Sequence, residues 1–122
     1  MAKFNKFEGI QAWQKAHEVT LLIYKITSNA AFSKDYGLKD QIRRASVSIM
    51  ANIAEGHGRR TNSEFANFLN MARGSVAEAQ SHLYVAVGLQ YITKEEFEEI
   101  YQMLDEISRM TFTLAKYLRD SN

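Results

Sequence analysis

At 122 residues the chain has the length of one domain, taken as residues 1–122, and is too short for two independent cores. Hydrophobic residues at 46% and charged residues at 24% fit a globular protein and not a disordered one, and 15 basic against 14 acidic side chains argue against wholesale polyanion binding. The absence of cysteine excludes disulfides, a thiolate nucleophile and Cys-ligated metal sites, while the absence of proline favours long uninterrupted helices.

The opening stretch, Met1 to Glu8, has basic residues but no apolar segment of signal-peptide length behind them. Apolar residues then follow the helical period throughout, and no strand-length alternation occurs. A first helix is predicted from Ile10 to Ser28, with Trp13, Ala16, Val19, Leu22, Ile23 and Ile26 on its stripe. Asn29–Gly37 reads as a joint. A second helix follows from Leu38 to Glu55, closed by Gly56-His57-Gly58, with Gly56 the expected left-handed cap residue. Thr61 and Glu64 form a capping-box pattern ahead of a third helix, whose stripe is Phe65, Phe68, Leu69, Ala72, Val76, Ala79, Leu83 and Ala86, ending near Gly88. A second box, Thr93 and Glu96, opens the fourth helix, with Phe97, Ile100, Leu104, Ile107, Thr111, Leu114 and Leu118 on one face. Four amphipathic helices with short joints predict an all-α, up-and-down antiparallel four-helix bundle.

The second helix carries more apolar surface than one core stripe needs. Ala45–Ala54 has no charge, and it is also the longest apolar stretch, far below the ~20 residues of a membrane span. At about 100° per residue, Ile42, Ala45, Ile49 and Ile53 face one way while Val47, Ala51 and Ala54 face nearly the opposite way. A bundle of this size cannot surround one of its own helices. The second side is therefore expected to meet another copy of the chain through Val47, Met50, Ala51 and Ala54. Met71 and Gly74 of the third helix are the candidate counterpart, with Ala77, Ser81 and Val85 nearby. The plainer alternative is a shallow surface groove. Asn52 among these residues either fixes register through a buried hydrogen bond or bonds to a local neighbour.

Little chemistry is visible. The histidines are His17, His57 and His82, and the nearest approach to a bundle metal motif, Glu78 and His82, has the wrong spacing and lies off the core stripe, so no metal or cofactor is expected. No serine sits in a nucleophile elbow, and the glutamates of the fourth helix read as a solvated face. Charge is unevenly placed. From Lys39 to Arg60 there are five basic residues (Lys39, Arg43, Arg44, Arg59, Arg60) against Asp40 and Glu55, and from Thr93 to Glu106 six acidic against Lys94 alone. The basic set could contact nucleic-acid phosphates, meet the acidic region across subunits, or be ordinary solvated charges with local partners such as Arg44 with Ser48 or Glu55.

Tyr36-Gly37-Leu38, then Gln41 through Ile49, then Asn52-Ile53-Ala54-Glu55-Gly56-His57-Gly58-Arg59, resemble the hallmark of the 23S rRNA-intervening sequence proteins, with further matches at Trp13, Glu64-Phe65, Phe68-Leu69 and Ala72-Arg73-Gly74-Ser75. The resemblance implies a small bacterial four-helix bundle that assembles as a ring-like homopentamer and has no established enzymatic activity. It also implies relatedness to the accessory protein of diversity-generating retroelements, a pentameric bundle thought to bind nucleic acid with a reverse transcriptase. Ser33 and Met50 stand where members of the family often have proline, which is expected to leave the second helix straighter. The expected protein is thus cytoplasmic and non-enzymatic, a self-associating bundle that binds RNA or DNA through Lys39, Arg43, Arg44, Arg59 and Arg60. The alternative is a pure assembly or adaptor module with those arginines at subunit interfaces.

Overall fold

The structure, a computed structural model, describes residues 5–121. The expected span of 1–122 and the opening stretch both include residues 1–4, which, with Asn122, lie outside the described residues. A 3-10 turn, Phe7–Gly9, precedes α1 (Gln11–Ile26), α2 (Ala30–Lys34), α3 (Tyr36–His57), α4 (Asn62–Gly88) and α5 (Lys94–Asp120). The four long helices are the four expected from periodicity. The short α2 was expected as part of a plain joint.

Side-chain chemistry sets most of the boundaries. Asp35 caps α3 by accepting from the Leu38 backbone N–H at 3.1 Å, so the helix begins at Tyr36, two residues earlier than expected. Thr93 opens α5 with both halves of a capping box: the Glu96 N–H donates to its hydroxyl, and its own N–H donates to the Glu96 carboxylate. At α4 only half forms. Thr61 accepts from the Glu64 N–H, but its hydroxyl also donates to the Glu64 carboxylate, which leaves the Thr61 N–H outside the exchange. Gln90, at φ 62°, carries the left-handed turn after α4.

Gly56 corrects the expectation of a left-handed cap. No described glycine has positive φ, and α3 continues through Gly56 to His57. A Cβ at Gly56 would lie 2.7 Å from the Phe68 Cβ and 3.0 Å from a ring carbon of Phe65. The residue is glycine because α3 and α4 touch there.

Contacts between helices give the topology. Thr20 donates to the Ser46 carbonyl while Arg43 reaches Thr27, so α1 and α3 run antiparallel. Ser48 meets Ser75 while Gly56 meets Phe68, which makes α3 and α4 antiparallel. Arg73 lies over Phe112 while Gln80 reaches the Tyr101 carbonyl, so α4 and α5 are antiparallel too. α5 packs back on α1, giving the cyclic order α1, α3, α4, α5. Ile23, Ile42, Ile49, Ile53, Leu69, Leu83, Leu104 and Ile107 are fully buried on the axis. Phe32 of α2 is also fully buried and stacks on Tyr91, closing one end of the bundle. No described helix is long and apolar enough to cross a membrane.

Candidate self-assembly face and basic edge

The core of α3 consumes Ile42, Ala45, Ser46, Ile49 and Ile53. Val47 on the opposite side is 42% exposed, and Ala51 is exposed beside it. Met71 on α4 is 54% exposed, and Gly74, one turn on, faces open space with nothing within 4 Å of a built Cβ. The Ser75 hydroxyl donates to the Ser48 hydroxyl at 3.0 Å, placing Val47 and Ala51 at the height of Met71 and Gly74. These four residues form one apolar patch on the outer side of α3 and α4. Met50 and Ala54, expected with them, are half-buried, and Met50 packs against the core. Val85 extends the exposed stripe along α4. Asn52 takes the local option: its amide donates to the Ser48 carbonyl at 2.9 Å and to the Ser48 hydroxyl at 3.2 Å.

The five basic residues do not form one cluster. Arg43 and Arg59 stand sixteen residues apart along or just beyond α3, roughly 24 Å at 1.5 Å per residue. Arg43 is committed to its own fold. Its Nε donates to the Thr27 hydroxyl at 2.8 Å, its Nη2 reaches the Tyr24 carbonyl and the Ser28 hydroxyl, and its guanidinium lies 4.4 Å from the Tyr24 ring centroid. It closes the C-terminal turn of α1, where carbonyls lack helical partners. Arg44 pairs with Asp40 at 2.8 Å, one turn back, instead of with Ser48 or Glu55. Arg59 pairs with Glu55 at 2.7 Å and lies over the Phe68 ring. Lys39 lies over the Tyr36 ring at 5.1 Å. Arg60 is exposed and makes no hydrogen bond or ion pair with any described residue. It precedes the start of α4, where free backbone N–H groups favour anions.

The acidic start of α5 and the basic start of α3 share one end of the bundle, because Tyr91, just ahead of α5, donates to the Asp35 carboxylate at 2.9 Å. In the cyclic order these two helices are diagonal. The Asp35 carboxylate holds the Tyr91 hydroxyl pKa above its ordinary value by accepting its proton in a hydrogen bond.

Of the residues tested for metal chemistry, His82 lies 3.6 Å from Glu78, beyond hydrogen-bonding distance, and His17 stacks on Trp13. Among the described residues no three His, Asp or Glu side chains converge on one point. One feature of the surface was not read from the sequence. The Arg73 guanidinium lies 4.9 Å from the ring centroid of Phe112, which is 51% exposed, and the Arg73 Nε is buried without a hydrogen-bond partner. The available signal was Phe112 itself, an aromatic next to Thr111 and off the core stripe of α5.

The profile of the 23S rRNA-intervening sequence protein family matches residues 8–113. A similar fold occurs in the crystal structure of a protein of unknown function from the S23 ribosomal protein family of Bacteroides thetaiotaomicron VPI-5482. That chain is 30% identical and superposes with a TM-score of 0.79 over 86% of this chain and 98% of its own. No curated protein matches the sequence.

Proposed function

Because the chain belongs to the 23S rRNA-intervening sequence protein family, we propose that it is a non-enzymatic scaffold that assembles with copies of itself. We place it in the cytoplasm as a homopentameric ring. The observation that carries this reading is the uncovered patch of Val47, Ala51, Met71 and Gly74. Contiguous apolar surface of this kind marks an interface, and the small residues at its centre let another helix come close. The number five rests on the resemblance to the family, and native mass measurement tests it. A pentamer of 14.0 kDa chains has a mass of about 70 kDa. A single species of 14.0 kDa at high protein concentration overturns the reading.

A second reading, nucleic-acid binding, is favoured by one observation: Arg60 is a cation with no carboxylate paired to it among the described residues. Arg44 and Arg59 reach phosphate only by leaving Asp40 and Glu55, and Arg43 only by leaving α1. Titrating RNA and DNA at several salt concentrations tests this. Binding that weakens with salt, with a slope reduced by about one on Arg60→Ala, supports it. Affinity weaker than about a millimolar with no salt dependence removes it.

A further inference from the structure

Of the arginines within the described helices, Arg43, Arg44, Arg109 and Arg119 each donate to an oxygen of the chain. Arg73 alone does not. It is half-buried, its Nε is shut off from solvent with no acceptor, and its guanidinium is held over the Phe112 ring. A cation taken partly out of water ordinarily keeps a hydrogen-bonding partner, because a desolvated donor without one costs free energy. At Arg73 the chain itself supplies none.

The guanidinium borders a cleft of about 380 Å³ on the outer seam of α4 and α5, lined by Arg73, Ser108, Arg109, Phe112 and Thr113. The chemistry of this lining is one-sided. It offers guanidinium and hydroxyl donors around an aromatic ring, and no carboxylate lines it. The Ser108 and Thr113 hydroxyls make no hydrogen bond with any described residue, and Ser108 is engaged only through its carbonyl, which accepts from Thr111. Arg109 pairs with Asp105 beside the cleft, so two guanidiniums less one carboxylate leave a net charge of +1. One phosphodiester carries the complementary charge. Phe112 adds a large aromatic surface at the water boundary, half exposed although Arg73 occupies part of it. A base stacks on such a ring while its phosphate meets the neighbouring cation. A carboxylate ligand would use the cation and leave the ring without a role.

We propose that the α4–α5 cleft binds a nucleotide unit of a single strand, with the base against Phe112 and the phosphate on Arg73, the Ser108 hydroxyl donating beside it. Duplex bases are already stacked on one another and do not reach the ring, so single strands are preferred. The inference shares its ligand class with the Arg60 reading but goes beyond it, because it stands on a different seam and takes up the base as well as the phosphate.

The probe is a short fluorescein-labelled oligothymidylate, titrated by anisotropy at several salt concentrations, with helicity and melting confirming that each variant folds. Phe112→Leu is expected to weaken binding about tenfold with the salt slope unchanged. Arg73→Gln is expected to lower that slope by about 0.7, the single-strand value for one phosphate. Phe112→Trp is expected to bind as the wild type does, and its added emission to be quenched as a base stacks on it. The wild type, whose single tryptophan is Trp13, is the unquenched control. Annealing the probe to its complement is expected to weaken binding. Wild-type affinity and slope in both Phe112→Leu and Arg73→Gln overturn the proposal, as does unquenched Phe112→Trp emission with the strand bound. Displacement of the probe by a short polyglutamate peptide as readily as by unlabelled strand also overturns it, assigning the cleft to carboxylates. Thymidine monophosphate quenching Phe112→Trp as tightly as the strand supports the nucleotide chemistry and makes a free nucleotide its source. A wild type that binds neither strand nor mononucleotide removes this proposal and the Arg60 reading together. Loss of binding in Arg60→Ala, with none at Arg73 or Phe112, removes this proposal alone.

Discussion

At Gly56 a hydrogen atom is all that fits between two helices. Placing a methyl group 2.7 Å from the Phe68 Cβ forces backbone apart from backbone, since neither contact is the far end of a flexible side chain. Gly56→Ala is predicted to cost about 1–3 kcal/mol, read as a lower urea midpoint. Gly74 is the opposite case. Nothing lies within 4 Å of its built Cβ, so Gly74→Ala is predicted to stabilise the folded single chain by up to about 1 kcal/mol through helix propensity, measured in the dissociated state. Equal losses at both positions contradict this contrast. The difference was only half legible in the sequence. Gly74 stood inside a long periodic segment and asked for a packing reason, whereas Gly56 stood near a helix end, where a capping glycine has the same appearance. What separates them is the position of Phe65 and Phe68, which only the fold supplies.

At the scale of elements, the long helices were legible because each repeats its apolar spacing over many turns. Phe97, Ile100, Leu104, Ile107, Thr111, Leu114 and Leu118 announce one face of α5, and all except the half-buried Phe97 and Leu114 are buried in it. The five residues of α2 are too few to show a period, although Phe32 within it is fully buried. Arg43 was legible as a charge and not as a brace, since Thr27 and Tyr24 lie sixteen and nineteen residues away. The bond from Tyr91 to Asp35 ties the turn between α4 and α5 to the cap of α3. Its pH dependence has a definite sign. The folded state holds the Tyr91 proton more tightly than the unfolded chain, so the contribution is complete below the ordinary tyrosine value of 10.0 and is lost as pH rises through the raised folded value. Melting temperatures across that alkaline range are predicted to fall more steeply for the wild type than for Tyr91→Phe. Parallel curves for the two proteins refute the assignment.

For the whole molecule, the apolar excess of α3 was legible by simple angular arithmetic, and Val47 and Ala51 lie on the surface as that arithmetic expects. What stayed hidden was the pairing of charges. A run of five cations against two acids looks like a field, but Asp40 and Glu55 stand one turn from Arg44 and Arg59 and pair with those two of the five. If copies of the chain associate through the patch, stability must rise with protein concentration by mass action. The melting temperature is predicted to climb with concentration for the wild type and to stay level for Val47→Glu. A level curve for both removes association from the account of stability.

The seam between α3 and α4 is pinned at two depths, by a pair of serine hydroxyls and by a glycine pressed against phenylalanine. Neither lock survives a slide of one helical turn, which would move the partners about 5.4 Å and drive a bulky residue into the slot that Gly56 leaves. The bundle is therefore built to behave as a brick. Any change in the shape of a larger structure made from it must come from how bricks tilt against one another, with the mortar yielding and the brick intact.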